Sequence, residues 1–171
     1  MKFETITYLK NGNDKQQKVY ALLTSHQLLE KLRPFDPLVV GTIPINIDIA
    51  NSDIDIICFF SDQQDFIKTV TSHFKDEKGF IVTEKRENTT VIANFWMDTF
   101  EIEIFGQTIP TRQQFAYRHL LIEHALLQER GEAFRQQIIA LKQQGYKTEP
   151  AFAIALGLTG DPYTELLNFE K

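Results

Sequence analysis

With one cysteine, Cys58, the chain cannot form an internal disulfide. Cys58 lies in the apolar run "DIDIICFF" and reads as a small buried hydrophobe, which suits a reducing cytoplasm. Long hydrophobic runs are missing too. No stretch is long enough to span a bilayer, and "MKFETITYLKNGNDKQQ" at the start has no apolar signal-type region, so no membrane partner is expected. Nor is there an excess of positive charge: 18 Lys and Arg stand against 23 Asp and Glu, a formal net charge of -5. That excludes a broad basic surface for sequence-independent binding of nucleic acid, and leaves room for a small basic pocket around a phosphorylated ligand. No repeat, low-complexity tract or linker interrupts the chain.

What is present suits a soluble α/β unit. The 171 residues allow one domain, or one with a small helical extension, and fourteen phenylalanines can supply a large aromatic core. Residues 14–32 place Val19, Leu22, Leu23, Leu29 and Leu32 at helical spacing, with Pro34 and Pro37 as stops. "LVVG" and "DIDIICFF" read as buried strands, and 62–75 as a helix with Phe66, Ile67, Val70 and Phe74 inward. Three β-like runs follow, "GFIVTEKR", "TTVIANFWM" and "TFEIEIFG", with breaks at Glu87-Asn88 and Met97-Asp98 short enough for hairpins. From Thr111 the pattern is helical. Thr111 and Gln114 offer a capping box, Gly131 and Gly145 end two successive helices, and Asp161-Pro162 opens another. The expected organisation is a core over 1–110 with a helical segment over 111–171 packed on it.

The chemistry concentrates in "VVGTIPINIDIANSDIDIICFF", residues 39–60. In a strand Asp53 and Asp55 point to one face, with Ile54, Ile56 and Cys58 on the other. Two like charges at the mouth of a buried strand repel and are poorly solvated, so either their pKa values rise or a cation neutralises them. Glu101 and Glu103 again share a face, and periodicity alone does not choose between them. If their strand neighbours that of Asp53, three or four carboxylates converge, an all-oxygen set that selects Mg2+ or Mn2+ over zinc. Gly41 ends a strand without a Cβ, so a ligand can approach its backbone. Exposed N–H groups and the Thr42 hydroxyl there can hold a phosphate. A calcium loop over Asn51, Asp53, Asp55 and Asp62 fails because Ile56 stands where the sharp turn needs glycine.

"GT" at 41–42, "SDIDI" at 52–56 and "EIEIF" at 101–105 together resemble the motif of the DNA polymerase beta-like nucleotidyltransferase superfamily, over roughly residues 14–106. Thr42 stands where Ser or Gly is usual, and Pro44 shortens the helix expected after it. The segments "EIFGQTIPTRQQFAYRHLLIEHALL" and "YKTEPAFAIALGLTGDPY" more narrowly resemble a bacterial family within that fold, catalogued as a domain of unknown function. The resemblance implies a mixed sheet flanked by helices. It implies a metal site of Asp53, Asp55 and Glu103, the acid directly before "IFGQ". It also implies nucleotide contacts at Gly41, Thr42 and Ser52, and Mg2+ or Mn2+ as cofactor.

Further candidates lie around these motifs. His119 and Glu123, four apart on a helix, can pair. Arg118, His119 and Glu101 are candidate substrate residues, able to reach a triphosphate or acceptor, with Glu101 otherwise a rim carboxylate paired with a nearby Lys or Arg; His124 reads as an interhelix contact, and Lys85 and Arg86 as solvated or at the pocket mouth. Two functions are expected to compete: a metal-dependent enzyme moving a nucleoside monophosphate from an NTP to an acceptor, or a nucleotide- or partner-binding protein without turnover. The acidic balance favours a small molecule or a protein as acceptor over a long nucleic acid.

Overall fold

The computed structural model describes residues 3–85 and 89–170. Arg86 and the Glu87-Asn88 hairpin break lie outside the described residues. The expected α/β order holds, and the ends of its elements follow from local chemistry.

Helix α1 (Asp14–Ser25) starts with a complete capping box: Asn13 Oδ1 accepts from Gln16 N at 2.8 Å, and Asn13 N donates to Gln16 Oε1 at 3.0 Å. It ends earlier than the periodicity suggests. Gln27 adopts the left-handed region (φ 54°), so the expected 14–32 helix divides into α1 and a single turn, α2 (Leu28–Lys31). The break lets Leu28 and Leu32 still face the core. We expect Asn13→Ala to cost about 1 kcal/mol, lowering the melting temperature by about 2–4 °C. Thermal melts of parent and variant check this, and an unchanged Tm would contradict it.

The sheet contains β1 (Leu38–Val40), β2 (Ile54–Phe59), β3 (Lys78–Lys85), β4 (Thr90–Met97) and β5 (Phe100–Gln107) in the spatial order β1-β2-β5-β4-β3. Only β2 and β5 pair in parallel; the other neighbours are antiparallel. The crossover that makes them parallel includes α3 (Gln63–Phe74), N-capped by Asp62, whose Oδ1 accepts from the backbone of Gln64 and Asp65.

Alternation divides the strands between two cores. Ile54, Ile56, Cys58, Ala93, Phe95, Ile102 and Ile104 pack on one face with α1, α2 and α3, and Phe74 stacks on Phe95. Gly106 has no room for a side chain there, since a Cβ would stand 2.4 Å from Phe66 Cε1. The opposite face of Val40, Ile57 and Phe105 is covered by the C-terminal helices α4 (Phe115–Gln143), α5 (Thr148–Leu156) and α6 (Pro162–Glu165). Glycine 131 breaks α4, as expected, with a φ of 76°. The short α5 was not legible in the sequence.

The capping box proposed at Thr111 and Gln114 is corrected. Thr111 opens a 3-10 turn and its hydroxyl donates to Asp36 Oδ2 at 2.6 Å, while Gln114 is itself the N-cap residue of α4. The Gln114 amide donates to Cys58 O at 2.9 Å and Ile109 O at 2.8 Å, which ties the start of α4 to the end of β2. The Asp36 carboxylate and the Cys58 carbonyl won over the local cap because both side chains are buried.

Candidate active site

The helices leave part of one sheet face uncovered, and the carboxylates stand there. The register places Val40 opposite Asp55, Asp55 opposite Glu103, and Glu103 opposite Asn94, a continuous row across β1, β2, β5 and β4. Asp53 lies just before β2, two residues from Asp55 and on the same side. Neighbouring strands are about 4.8 Å apart and alternate residues on one strand about 7 Å apart, so the three acids crowd one patch. They line a cleft of about 1200 Å³ between the sheet and the C-terminal helices, together with Gly41, Thr42 and Ser52.

The chain between β1 and β2 forms a cradle, though not the strand-to-helix turn expected. Residues 41–46 form turns without a helix. Three side chains pin this segment from outside. Gln16 Nε2 donates to Ile43 O at 2.8 Å, Arg135 donates to Ile45 O, and Lys15 pairs with Asp48 at 2.9 Å. Ser52 Oγ accepts from Ile49 N at 2.9 Å and lies 3.4 Å from Thr42 Oγ1. Gly41 is required twice over. Its φ of 78° disfavours any other residue, and a Cβ would fall 2.0 Å from Asp55 Oδ2.

Burial, and then the neighbouring Asp53 and Glu103 carboxylates, push the Asp55 carboxyl well above its ordinary range, against the pull of Lys142. Asn94 Nδ2 donates to Glu103 Oε2 at 3.4 Å. Among the described residues no three His, Cys, Asp or Glu side chains stand in a ready-made metal-binding arrangement. The donor chemistry fits a hard divalent cation: an all-carboxylate set whose mutual repulsion a cation would relieve.

The wall facing these acids comes from the helices. Lys142 on α4 is 8% exposed and Glu123 is 4% exposed, both lining the cleft. Lys142 Nζ donates to Thr148 Oγ1 at 3.1 Å. Burial lowers the Lys142 pKa against the attraction of Glu123, Glu149, Asp55 and Asp48, and burial raises that of Glu123. His119 lines the cleft, but its expected pairing with Glu123 is corrected. Its Nε2 donates to Tyr163 O at 2.8 Å and its Nδ1 lies 3.5 Å from Glu149 Oε1, because α5 and α6 pack across it. Exposed Phe115, Tyr146 and Tyr163 rim the opening.

Two candidates lie elsewhere. Arg118 does not line the cleft; its guanidinium is held by Glu170, with Nε 3.0 Å from Oε1. Glu101 faces a separate groove. His124 packs edge-on to Phe3, and Lys85 lines the far end of the cleft. Lys142 had a signal in the sequence that went unused: it falls at four-residue spacing after Phe134 and Ile138, a cation on an apolar helix stripe.

The five-stranded mixed sheet flanked by helices matches the fold of solved nucleotidyltransferase structures. The chain belongs to the family described as Domain of unknown function (DUF4269), whose model matches residues 21–169. Among solved structures it is similar to the Cid1 poly(U) polymerase bound to MgGTP, with a TM-score of 0.59 and 17% identity over 84% of this chain and 49% of that one. It is similar to Cid1 with its short product ApU at a TM-score of 0.55 and 15% identity over 84% and 48%. A cytoplasmic RNA terminal U-transferase aligns at a TM-score of 0.51 and 17% identity over 76% and 39%. The chain thus spans about half the length of these structures, or less. No curated protein matches it significantly. Among the described residues no helix is long and apolar enough to cross a membrane.

Proposed function

We propose that the protein transfers a nucleoside monophosphate from an NTP to an acceptor hydroxyl in this cleft. The observation that carries the reading is the register of Asp55 with Glu103 on the uncovered sheet face, beside Asp53 and the Gly41 cradle. Asp53, Asp55 and Glu103 are the residues that would hold Mg2+ or Mn2+, which when bound neutralises phosphate charge and acidifies the acceptor hydroxyl. Gly41, Thr42 and Ser52 hold phosphate oxygens. Lys142 supplies the buried positive charge for the triphosphate, and the aromatic rim offers ring faces to the base. The acceptor oxygen bonds to the α-phosphorus, the bond to the bridging oxygen breaks, pyrophosphate leaves, and the hydroxyl proton passes to Glu103.

Binding without turnover is the second reading, favoured by the Asp55 carboxyl, which burial and the neighbouring Asp53 and Glu103 hold well above its ordinary range. A panel of NTPs with Mg2+ or Mn2+, read by thermal shift and by pyrophosphate release with a cell-extract acceptor pool, separates the two. Release supports transfer; NTP binding with no release under any condition supports the binding protein. Lys142→Gln is expected to weaken NTP binding about tenfold, the value of a charge-assisted contact. Calorimetry with Mg2+ checks it, and unchanged affinity would remove Lys142 from the site.

A further inference from the structure

A second groove, of about 550 Å³, opens at the foot of the sheet where the start of α1 meets the β4–β5 turn. Asn51 and Ser52 line both it and the cleft of the carboxylates, so the two openings adjoin at this stretch. Trp96 lines the groove and is 44% exposed, an unusual position for the largest side chain in the chain. It lies on the same sheet face as the carboxylates, in register with Glu101. Glu103 is two residues further along that strand, about 7 Å on.

The polar lining is of mixed sign. Lys15 is already committed, to Asp48 at 2.9 Å and to Ile49 O at 2.8 Å. Lys18 is exposed and makes no ion pair among the described residues, and Asp14 and Glu101 likewise have no ion-pair partner there. One unpaired ammonium beside two carboxylates suits a single phosphate and a set of hydroxyls. It does not suit a polyanionic backbone, nor does a chain of net charge -5.

We infer that this groove receives the acceptor, and that the acceptor is a nucleotide of mononucleotide size. Its ring stacks on Trp96, its phosphate meets Lys18, and one sugar hydroxyl donates to Glu101, leaving the other free. The hydroxyl to be modified passes Ser52 toward Glu103 and displaces pyrophosphate from the NTP, leaving the two nucleotides joined by a phosphodiester. This rests on the transferase reading for its chemistry, but the binding itself does not require it.

Trp96 is the only tryptophan, so its fluorescence reports on this groove alone. The full chain is titrated with UMP and with AMP in EDTA, then again with a saturating non-hydrolysable NTP analogue and Mg2+. Saturable quenching is expected in both series, weakened about tenfold by Lys18→Ala and further by Lys18→Glu, as loss of a charge-assisted contact implies. Absence of quenching overturns the inference. So does quenching that the NTP analogue competes away, which puts the nucleotide in the cleft. Tighter quenching by a single-stranded oligonucleotide, or by a neutral glycoside, also overturns it. Calorimetry of the analogue with Mg2+ in the parent is run beside these. If the analogue fails to bind while UMP or AMP quenches, the transferase reading falls and the groove stands; the reverse result rejects the groove alone.

Discussion

Asp53→Asn is expected to weaken Mg2+-dependent NTP binding and turnover together, whereas Glu103→Gln keeps NTP binding and loses transfer by about a hundredfold or more. The difference follows from the sheet. Asp53 and Asp55 sit at the mouth of β2, beside Gly41, and in the proposed reaction would serve the triphosphate. Glu103 is one strand further across, toward Asn94 and the open side of the sheet, where an acceptor would enter. A loss in turnover without a loss in NTP affinity marks an interaction used chiefly in the transition state. NTP affinity by calorimetry and pyrophosphate release are measured on the parent and both variants. If neither variant changes NTP binding or release, the nucleotide site lies elsewhere.

Without divalent cations, Asp55→Asn is expected to stabilise the fold by about 1–3 kcal/mol, in the way that removing a poorly compensated buried charge does. For a chain of this size that is about 2–4 °C in Tm per kcal/mol. The sign comes from the direction of the Asp55 pKa. Burial first, then Asp53 and Glu103, raise it in the folded state. The folded form therefore prefers the protonated carboxyl. The contribution of this group is fully present below its ordinary value of 3.8 and is lost as pH rises through the raised value. The parent should accordingly lose part of its stability over that interval, and the Asn variant should lose less. Added Mg2+ should reverse the ranking, because a cation bound only by the folded parent stabilises it by mass action. Melting curves at two pH values, with and without Mg2+, test all three statements. A large loss of apo stability in Asp55→Asn would mean that Lys142 already holds Asp55 as a structural ion pair.

Some of the site was legible because strands write their geometry into sequence with a period of two. Asp53 and Asp55 had to share a face, as did Glu101 and Glu103, and glycine at 41 marked a close approach of backbone to something else. Helix ends were less legible. Thr111 and Gln114 have the right letters for a local cap, but a buried side chain takes whichever partner the fold presents, and Asp36 and Cys58 O are 75 and 56 residues away. The same holds for His119, whose expected partner was four residues away and whose observed neighbours are 30 and 44 residues away.

From sequence alone came the α/β class, the order of the main elements, a chain with no internal disulfide, and the acids from which a metal site could be drawn. Each follows from local periodicity, composition or spacing. Tertiary structure alone decided that β5, not β1 or β4, lies parallel beside β2, which brings Glu103 rather than Glu101 level with Asp55. It also decided that Lys142, Glu123 and Glu149 face those acids from the helices, that Arg118 turns away to Glu170, and that Trp96 stands exposed at a second opening. These depend on how strands pair and helices close over a sheet, and such choices are made by the burial of whole faces together rather than by any short stretch of residues.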